Sequence, residues 1–420
     1  MHPYPASVSL VPLGQARAVV FGACAPLPTR TTPLAEALGL VVSDDVTASE
    51  PIPPFDNTAV DGYAVQAADT ATPPVELGVA GSIAAGDPPD VTVAAGQAVR
   101  IMTGAPMPPG ADAVVMVEDT TALDGGRRVE VRATVAPGDH VRRTADDVRP
   151  GDVVVSSGTV LRPGHLGVLA SLGLDGVVVH RRAQVAVLST GDELVQAPPG
   201  QLRPGQIRDS NRPTLLALLA ETGCDTVDLG VAPDDEDAIT AAVERGVRDC
   251  DALLTSGGVS VGDFDYVKAV LDRLGDMTWM QVAIRPAKPF AFGVVKGVPV
   301  FGLPGNPVSS MVSFELFARP ALRQMMGHPD PDRPRVRAVA AEPLHRRPDG
   351  KTHFVRVVVE ADDGGRHRVR SAGGQGSHQL AAMAAAGGLA VLPDGEGVAA
   401  GQDVDVLLLR MPPGPPLPVG

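Results

Sequence analysis

The sequence predicts a multidomain α/β plus β protein, in which a central α/β domain with a mostly parallel sheet accompanies an inserted β-rich domain and a C-terminal, β-barrel-like domain. Three observations carry this reading. The chain has 420 residues, more than one hydrophobic core ordinarily serves. Between residues 183 and 327, apolar strand-like runs alternate with helically spaced ones, as in a wound parallel sheet. On either side, from about 50 to 150 and again beyond about 329, short Val-rich runs are separated by Gly, Pro and Asp turns.

In chain order, residues 7–45 carry helical spacing through VPLGQARAVVFGACAPL and again in PLAEALGLVV. The runs VELGVAGSIAAG, QAVRIMTG, ADAVVMVED and RVEVRATV read as strands of the inserted domain, and HLGVLASLGL returns to helical spacing. AQVAVLST is a nearly all-apolar strand. RPTLLALLAETG follows as a helix capped by Asn211 and stopped by Gly223. TVDLGVA, DEDAITAAVERGV, DALLTS and DYVKAVLDRLG continue the alternation, with WMQVAI and VPVFGLP as further strands. A long helix starts at Pro307 behind Asn306, and Pro320 should kink it. RVRAVAAEPL, HFVRVVVEA, GLAVLP and QDVDVLLLR are the strands of the last domain. The expected domains are a discontinuous helical or mixed one (7–48 and 150–181), the insertion (49–149), the α/β domain (182–328), the C-terminal β domain (329–411) and a proline-rich tail (412–420).

Composition narrows the function. With 47 Gly and 41 Pro against 44% hydrophobic and 20% charged residues, the chain is globular and rich in turns. Aromatic residues make up only 3%, leaving few stacking platforms for bases, and a net charge of −14 repels polyanions. Nucleic-acid binding is therefore not expected, and any bound anion needs a local cluster of cations and backbone N–H groups. Cys24, Cys224 and Cys250 lie far apart without metal-site spacing and read as reduced thiols. No stretch approaches the roughly 18 uninterrupted apolar residues of a membrane span, and no basic start precedes an apolar run. The expected location is the cytoplasm, with no membrane contact.

In an open parallel sheet, ligands bind beyond the carboxyl ends of the strands. Four polar segments fall there, three of them Gly-containing. LSTGDEL carries Glu193, and TSGGVSVGDFDY carries Ser256, Gly257, Gly258, Ser260, Asp263 and Asp265. Small residues after a strand let backbone N–H groups approach a phosphate, although Gly-Gly there equally makes a tight turn. IRPAKPF sets Arg285 and Lys288 on a proline-stiffened chain, suited to a tetrahedral oxyanion; a solvated charge pair is the alternative. FGLPGNPVSS offers Pro304, Asn306, Pro307 and Ser309 between strand and helix, where a purely structural turn also fits. A phosphoanhydride substrate with a divalent ion needs carboxylates. Glu193, Asp234, Asp263 and Asp265 lie at strand-to-helix loops, while Asp56, Asp61, Asp146 and Asp147 lie outside the α/β domain. Asp192, Asp209 and Asp235 read as turn or cap residues.

The combination and order of PPFDNTAVDGYAV, RIMTGAPMPPGADAVVMVED, LSTGDEL, GQIRDSNR, TSGGVSVGDFDY, FGLPGNPVSS and GGQGSH resembles the molybdopterin molybdenumtransferase family across nearly the whole chain. That family includes bacterial MoeA and the E domains of gephyrin and its plant counterpart. The resemblance implies a MogA-like central domain and a homodimer whose cleft lies between the α/β domain of one subunit and the β-rich domain of the other. It implies an enzyme that takes molybdopterin adenylate and molybdate, uses Mg2+ or another divalent cation, and releases AMP and the metallated cofactor. Other molybdenum-cofactor biosynthesis proteins are open as further partners. On matching positions, the catalytic acids are Asp61, Asp147, Glu193, Asp234 and Asp265, the last three also the metal ligands. Thr103, Arg142, Ser256, Gly257, Gly258, Ser260, Pro304, Asn306, Pro307 and Ser309 are implied to bind the pterin nucleotide. Arg285, Lys288, Arg356 and Ser377 are implied to bind molybdate. The chain departs from the family pattern at RRTADDV, where Ala145 changes the segment, at Gln281, where some relatives carry Lys, and at Ala287, where Gly is usual. Two rival readings are a molybdopterin adenylyltransferase, which makes the adenylate and has no use for the added β domains, and a non-catalytic dimeric scaffold of the gephyrin type.

Overall fold

The computed structural model describes residues 9–259, 266–362 and 364–411; the proline-rich tail lies outside them. The chain forms two compact units, one from 31–38 and 44–178, the other from the segment up to Arg30, 39–43 and the chain from Val179 onward. No helix among the described residues is long and apolar enough to cross a membrane.

The first unit is built on a six-stranded sheet in the order Ala113–Met116, Gly62–Val65, Gln97–Ile101, Val75–Ile83, Arg128–Val131, Thr120–Leu123. Its strands alternate between two cores. Tyr63, Val65, Ala98, Ala113 and Val115 fill one, while Ala64, Val99, Ile101 and Val114 fill the other. A period of two with apolar residues on both faces is what a doubly covered sheet requires. The sequence reads it as short continuous Val-rich runs.

In the second unit, the strands Asp225–Ala232, Gln184–Thr190, Ala252–Ser256 and Val298–Leu303 run parallel in that spatial order. Pro289–Val295 and Gly275–Gln281 extend the sheet antiparallel. Val185, Val187 and Leu254 face one core with Leu215 and Leu219 of the Asn211–Thr222 helix. Ala186, Leu188 and Leu253 face the other with Ile239 and Val243 of Glu236–Asp249 and Val270 and Leu271 of Tyr266–Leu274. Thus helices cover both faces, as predicted for a wound α/β domain. Asp235 caps its helix by accepting from Ala238 N, and Gly223 ends the 211–222 helix in the left-handed conformation at φ 93°. Beyond residue 334, Thr352–Ala361, His367–Ser371, Arg335–Ala340, Asp403–Leu408 and Gly388–Leu392 pair in turn. The last also pairs with the first, so the five strands close into a barrel. Ile284–Arg285 adds to this barrel in parallel, with Arg285 opposite His353.

Four expectations need correction. Residues 7–45 are not helical throughout: the helix covers Leu13–Ala23, Thr29–Pro33 is a strand, Leu34–Glu36 is a single 3-10 turn, and Val41–Val42 is a buried strand. Pro26, Pro28 and Pro33 have no N–H to donate, and Gly39 at φ 79° ends the turn before it can propagate. PFAFGVV is a central strand that its flanking prolines disguise. Asn211 is the first residue of its helix, behind Ser210, and is not its cap. Pro320 does not simply kink the long helix: Phe314–Ala318 becomes a π-turn, and Pro320 opens the following segment Arg319–Met325.

That π-turn is supported from outside the helix. Pro320 cannot donate to the carbonyl four residues earlier, Leu316 O, and Arg17 Nη1 donates to it instead at 2.7 Å. Removing this donor by Arg17→Met leaves a part-buried carbonyl unpaired, so urea unfolding should show a loss of about 1–3 kcal/mol. In a Pro320→Ala background the chain supplies its own donor, and the cost of Arg17→Met should shrink; strictly additive losses would show that the two residues are not coupled.

Candidate functional site

In the second unit, parallel register pairs Thr190 with Ala232, Ser189 with Ser256, and Ser256 with Leu303. All four strands therefore end at one edge, where three of the segments predicted from sequence, those of Glu193, Gly257 and Asn306, emerge together with the Asp234 loop. They line a cavity of about 360 Å³ that includes Gly191, Glu193, Asp234, Gly257, Gly258, Pro304, Gly305 and Asn306.

Local chemistry explains each placement. Gly257 and Gly258 have φ of 101° and 69°, and a Cβ on Gly257 would lie 3.1 Å from Thr190 O, so only glycine fits this crossing comfortably. Gly257 N donates to Leu303 O, tying the loop to the neighbouring strand. A Cβ on Gly191 would lie 2.4 Å from a carboxylate oxygen of Glu193, which shows that Glu193 folds back over that glycine at the cavity wall. Asp192 is a turn residue: its carboxylate accepts from Asp234 N at 3.1 Å and positions Asp234. Ser260, Asp263 and Asp265 lie outside the described residues, so the expected third metal ligand has no described place. Among the described residues, no group of three or more His, Cys, Asp or Glu side chains converges as a metal site.

One organising residue escapes the sequence reading. Asn211 Nδ2 donates to Ser256 Oγ at 2.8 Å and to Gly305 O at 2.7 Å, joining the SGG loop to the LPGNP loop. Ser256 is buried and spends its hydroxyl in this clamp. Pro307 starts the helix behind Asn306, as expected, and Val308 N donates to Ser377 O at 3.0 Å, bringing in the GGQGSH loop.

A second cavity, about 370 Å³, is lined by Arg285, Lys288, Lys351, Ser309, Ser377, Gln375 and Asp349 and shares Pro289 and Asn306 with the first. Its floor is the IRPAKPF turn, closed by Val282 N donating to Lys288 O at 2.7 Å. Lys351 is a third cation here, and nothing in DGKTHF singled it out. It pairs with Asp349 at 3.0 Å. Burial alone would raise the Asp349 carboxyl, but hydrogen bonds from Lys351 and His353 outweigh it and hold the pKa at about 2. Arg356, expected at the oxyanion, is fully buried and does not line this cavity. Its Nη2 donates to Gly374 O at 2.8 Å and Gly376 O at 3.2 Å, and Gln375 bonds back to its main chain, so Arg356 holds the loop from beneath. Burial lowers its pKa from the usual arginine range.

The remaining predicted residues lie on the first unit, where three segments are knitted together. Arg142 pairs with Asn57 across a two-residue ladder, and Thr58 bonds to Gly104 and Ala105. Asp56 accepts from Arg143 and Thr144. Asp61 Oδ1 accepts from Thr103 N and Thr103 Oγ1, each at 2.7 Å, bonds that lower its pKa, the backbone one most. A Cβ on the following Gly62 would lie 1.9 Å from Val115 O, so that strand start must be glycine. Asp61, Thr103, Arg142 and Asp147 are all exposed. Ala145 and Ala287, the two alanines that mark departures from the family pattern, both have positive φ, at 61° and 74°. Each keeps a left-handed conformation that ordinarily costs an L-residue about 1–2 kcal/mol.

Fold and sites together define a multidomain α/β protein with a carboxylate-bearing, Gly-loop cavity beside a separate cationic cavity. Family models match in succession: MoeA N-terminal region (domain I and II) over 11–173, probable molybdopterin binding domain over 186–324, and MoeA C-terminal region (domain IV) over 337–409. The molybdopterin molybdenumtransferase 2 of Mycobacterium tuberculosis H37Rv is 43% identical over 396 residues, covering 91% of this chain and 95% of the relative. That of Haemophilus influenzae is 38% identical, covering 91% and 94%. The crystal structure of the molybdopterin biosynthesis moeA protein from Pyrococcus horikoshii OT3 superposes with a TM-score of 0.78 at 31% identity, covering 95% of this chain and 100% of that one. The chain belongs to the MoeA family of molybdopterin molybdenumtransferases.

The Asn211 clamp gives a direct test. Asn211→Ala breaks two side-chain hydrogen bonds without touching a core, so thermal stability should fall by only about 1–2 kcal/mol. Affinity for AMP, measured by calorimetry, should drop about tenfold because both loops lose their mutual support. Unchanged AMP affinity would remove Asn211 from the site.

Proposed function

We propose that the chain inserts molybdate into adenylylated molybdopterin and releases AMP, completing molybdenum-cofactor biosynthesis, and that it does so as a cytoplasmic homodimer. The observation that carries this reading is the pair of cavities joined at Pro289 and Asn306, one with carboxylates and Gly loops, the other with three cations. A reaction that brings a nucleotide-bearing pterin to an oxyanion needs such neighbours, because holding both reactants side by side removes much of the entropic barrier.

Glu193 and Asp234 would hold a divalent cation: Mg2+ commonly takes one or two carboxylates together with substrate phosphates, and these two acids line one cavity. When bound, that ion offsets phosphate charge and makes a bound water more acidic. Gly257 and Gly258 present main chain closely to the phosphate, and Asn306 lies between the nucleotide and the oxyanion. Arg285, Lys288 and Lys351 hold the molybdate dianion, while Arg356 fixes the loop that carries Ser377. Asp61, Thr103, Arg142 and Asp147 form an exposed set on the other unit and serve the site of the partner subunit in the dimer. The adenylyltransferase alternative gives no role to the cationic cavity, and a scaffold would need neither cavity.

Lys288→Ala should leave AMP affinity within about twofold and lower molybdate-dependent AMP release by about tenfold or more, since one charge-assisted contact to the dianion is lost. The assay uses purified protein with molybdopterin adenylate, with and without molybdate. AMP release that ignores molybdate, or adenylate formation from ATP, would sink the proposal.

A further inference from the structure

A third cavity, about 270 Å³, lies in the C-terminal part of the second unit and is lined by Arg285, His345, Arg346, Arg347, His353 and Gln375 among others. Five basic side chains and no carboxylate line it, in a chain of net charge −14. Such local reversal of sign needs a cause. Two of the five are structural. Arg346 is buried and bonds to Asp349, Asp394 and the carbonyls of Lys351, Leu392 and Pro393. His353 is buried against Asp349 at 3.1 Å. The other three, Arg285, His345 and Arg347, are exposed, and among the described residues their side chains have no acidic partner. Leu344 and Phe354 complete the wall.

The position of this cavity is informative. Arg285, Pro286 and Gln375 line it and also line the cavity that holds Lys288, Lys351 and Ser377. The ladder pairing Arg285 with His353 fixes the backbone of that arginine between the two, and its exposed side chain lines both. We propose that the third cavity is a holding site for a tetrahedral oxyanion dianion, gripped by Arg347 and Arg285, from which the anion passes over Arg285 into the Lys288 cavity. The holding site stands on its own lining; only its role as a feeder rests on the molybdate-insertion reading.

Tungstate, a heavy tetrahedral dianion, is the probe. Crystals of the full chain soaked in tungstate should show anomalous density in both cavities, one peak beside Lys288 and one beside Arg347. Equilibrium dialysis should count two tungstates per chain. Arg347→Ala, an exposed substitution, should remove the peak beside it, weaken that class of binding by about tenfold or more, and leave the peak beside Lys288; Lys288→Ala should do the reverse. Excess sulfate should displace tungstate from the Arg347 cavity, as expected for recognition by charge and shape. A count of one in the wild-type protein, or two peaks unchanged by Arg347→Ala, overturns the holding site. Two peaks together with AMP release that ignores molybdate would leave the holding site standing and remove the insertion reading.

Discussion

The site depends on a single constraint: four parallel strands end in register, at Thr190, Ala232, Ser256 and Leu303. Because all four carboxyl ends share one edge, loops far apart in sequence meet without any long excursion of the chain. What the sheet cannot do is fix those loops against each other. That falls to short polar contacts, chiefly the amide of Asn211 between Ser256 and Gly305, the Asp192 carboxylate on Asp234 N, and the Ser377 carbonyl on Val308 N. The last of these links the α/β sheet to the barrel-side loop, so the cationic cavity is assembled from both.

Charge is partitioned by the same geometry. Glu193 and Asp234 line the Gly-loop cavity, and Arg285, Lys288 and Lys351 line its neighbour. In a chain this acidic, long-range attraction cannot recruit an oxyanion, so recruitment depends on cations within a few ångströms, where screening by water and salt is weakest. Asp349 illustrates the balance. It bonds to Lys351, His353 and Arg346 and offsets part of the repulsion between the two cations Lys351 and Arg346.

Much of this was legible in the sequence because it rests on patterns that physics makes periodic. The helix Glu236–Asp249 with its Asp235 cap, the nearly all-apolar strand Gln184–Thr190 and the Gly223 stop each follow from local rules. The Gly-rich loops at strand ends marked the cavity, since close main-chain approach requires glycine. What was hidden depends on contacts distant in sequence. Asn211 looked like a cap because a cap and a clamp use the same amide. Lys351 is one lysine in a turn until the Ile284–Arg285 strand pairs with Thr352–His353 and brings it to Lys288. PLAEALGLVV has helical spacing, but spacing cannot outweigh prolines on one side and a left-handed glycine on the other.

Arg356 shows why residue identity and residue role separate. The guanidinium is fully buried, has no carboxylate partner among the described residues, and leaves Nε and Nη1 without a hydrogen-bond partner there. A buried charge held only by carbonyl oxygens is expensive, and a neutral side chain of similar volume would serve packing better. The arrangement makes sense if the charge itself is used. From beneath the Gly374–Gly376 loop, a cation polarises the carbonyls it binds and raises the potential of the adjoining cavity. Where that cavity takes an oxyanion, as proposed, this cation adds to the field of Arg285, Lys288 and Lys351. The same burial lowers its pKa; arginine side chains nonetheless keep their proton in proteins. Under the proposed function, the cost in stability falls where a packed interior would otherwise select against charge.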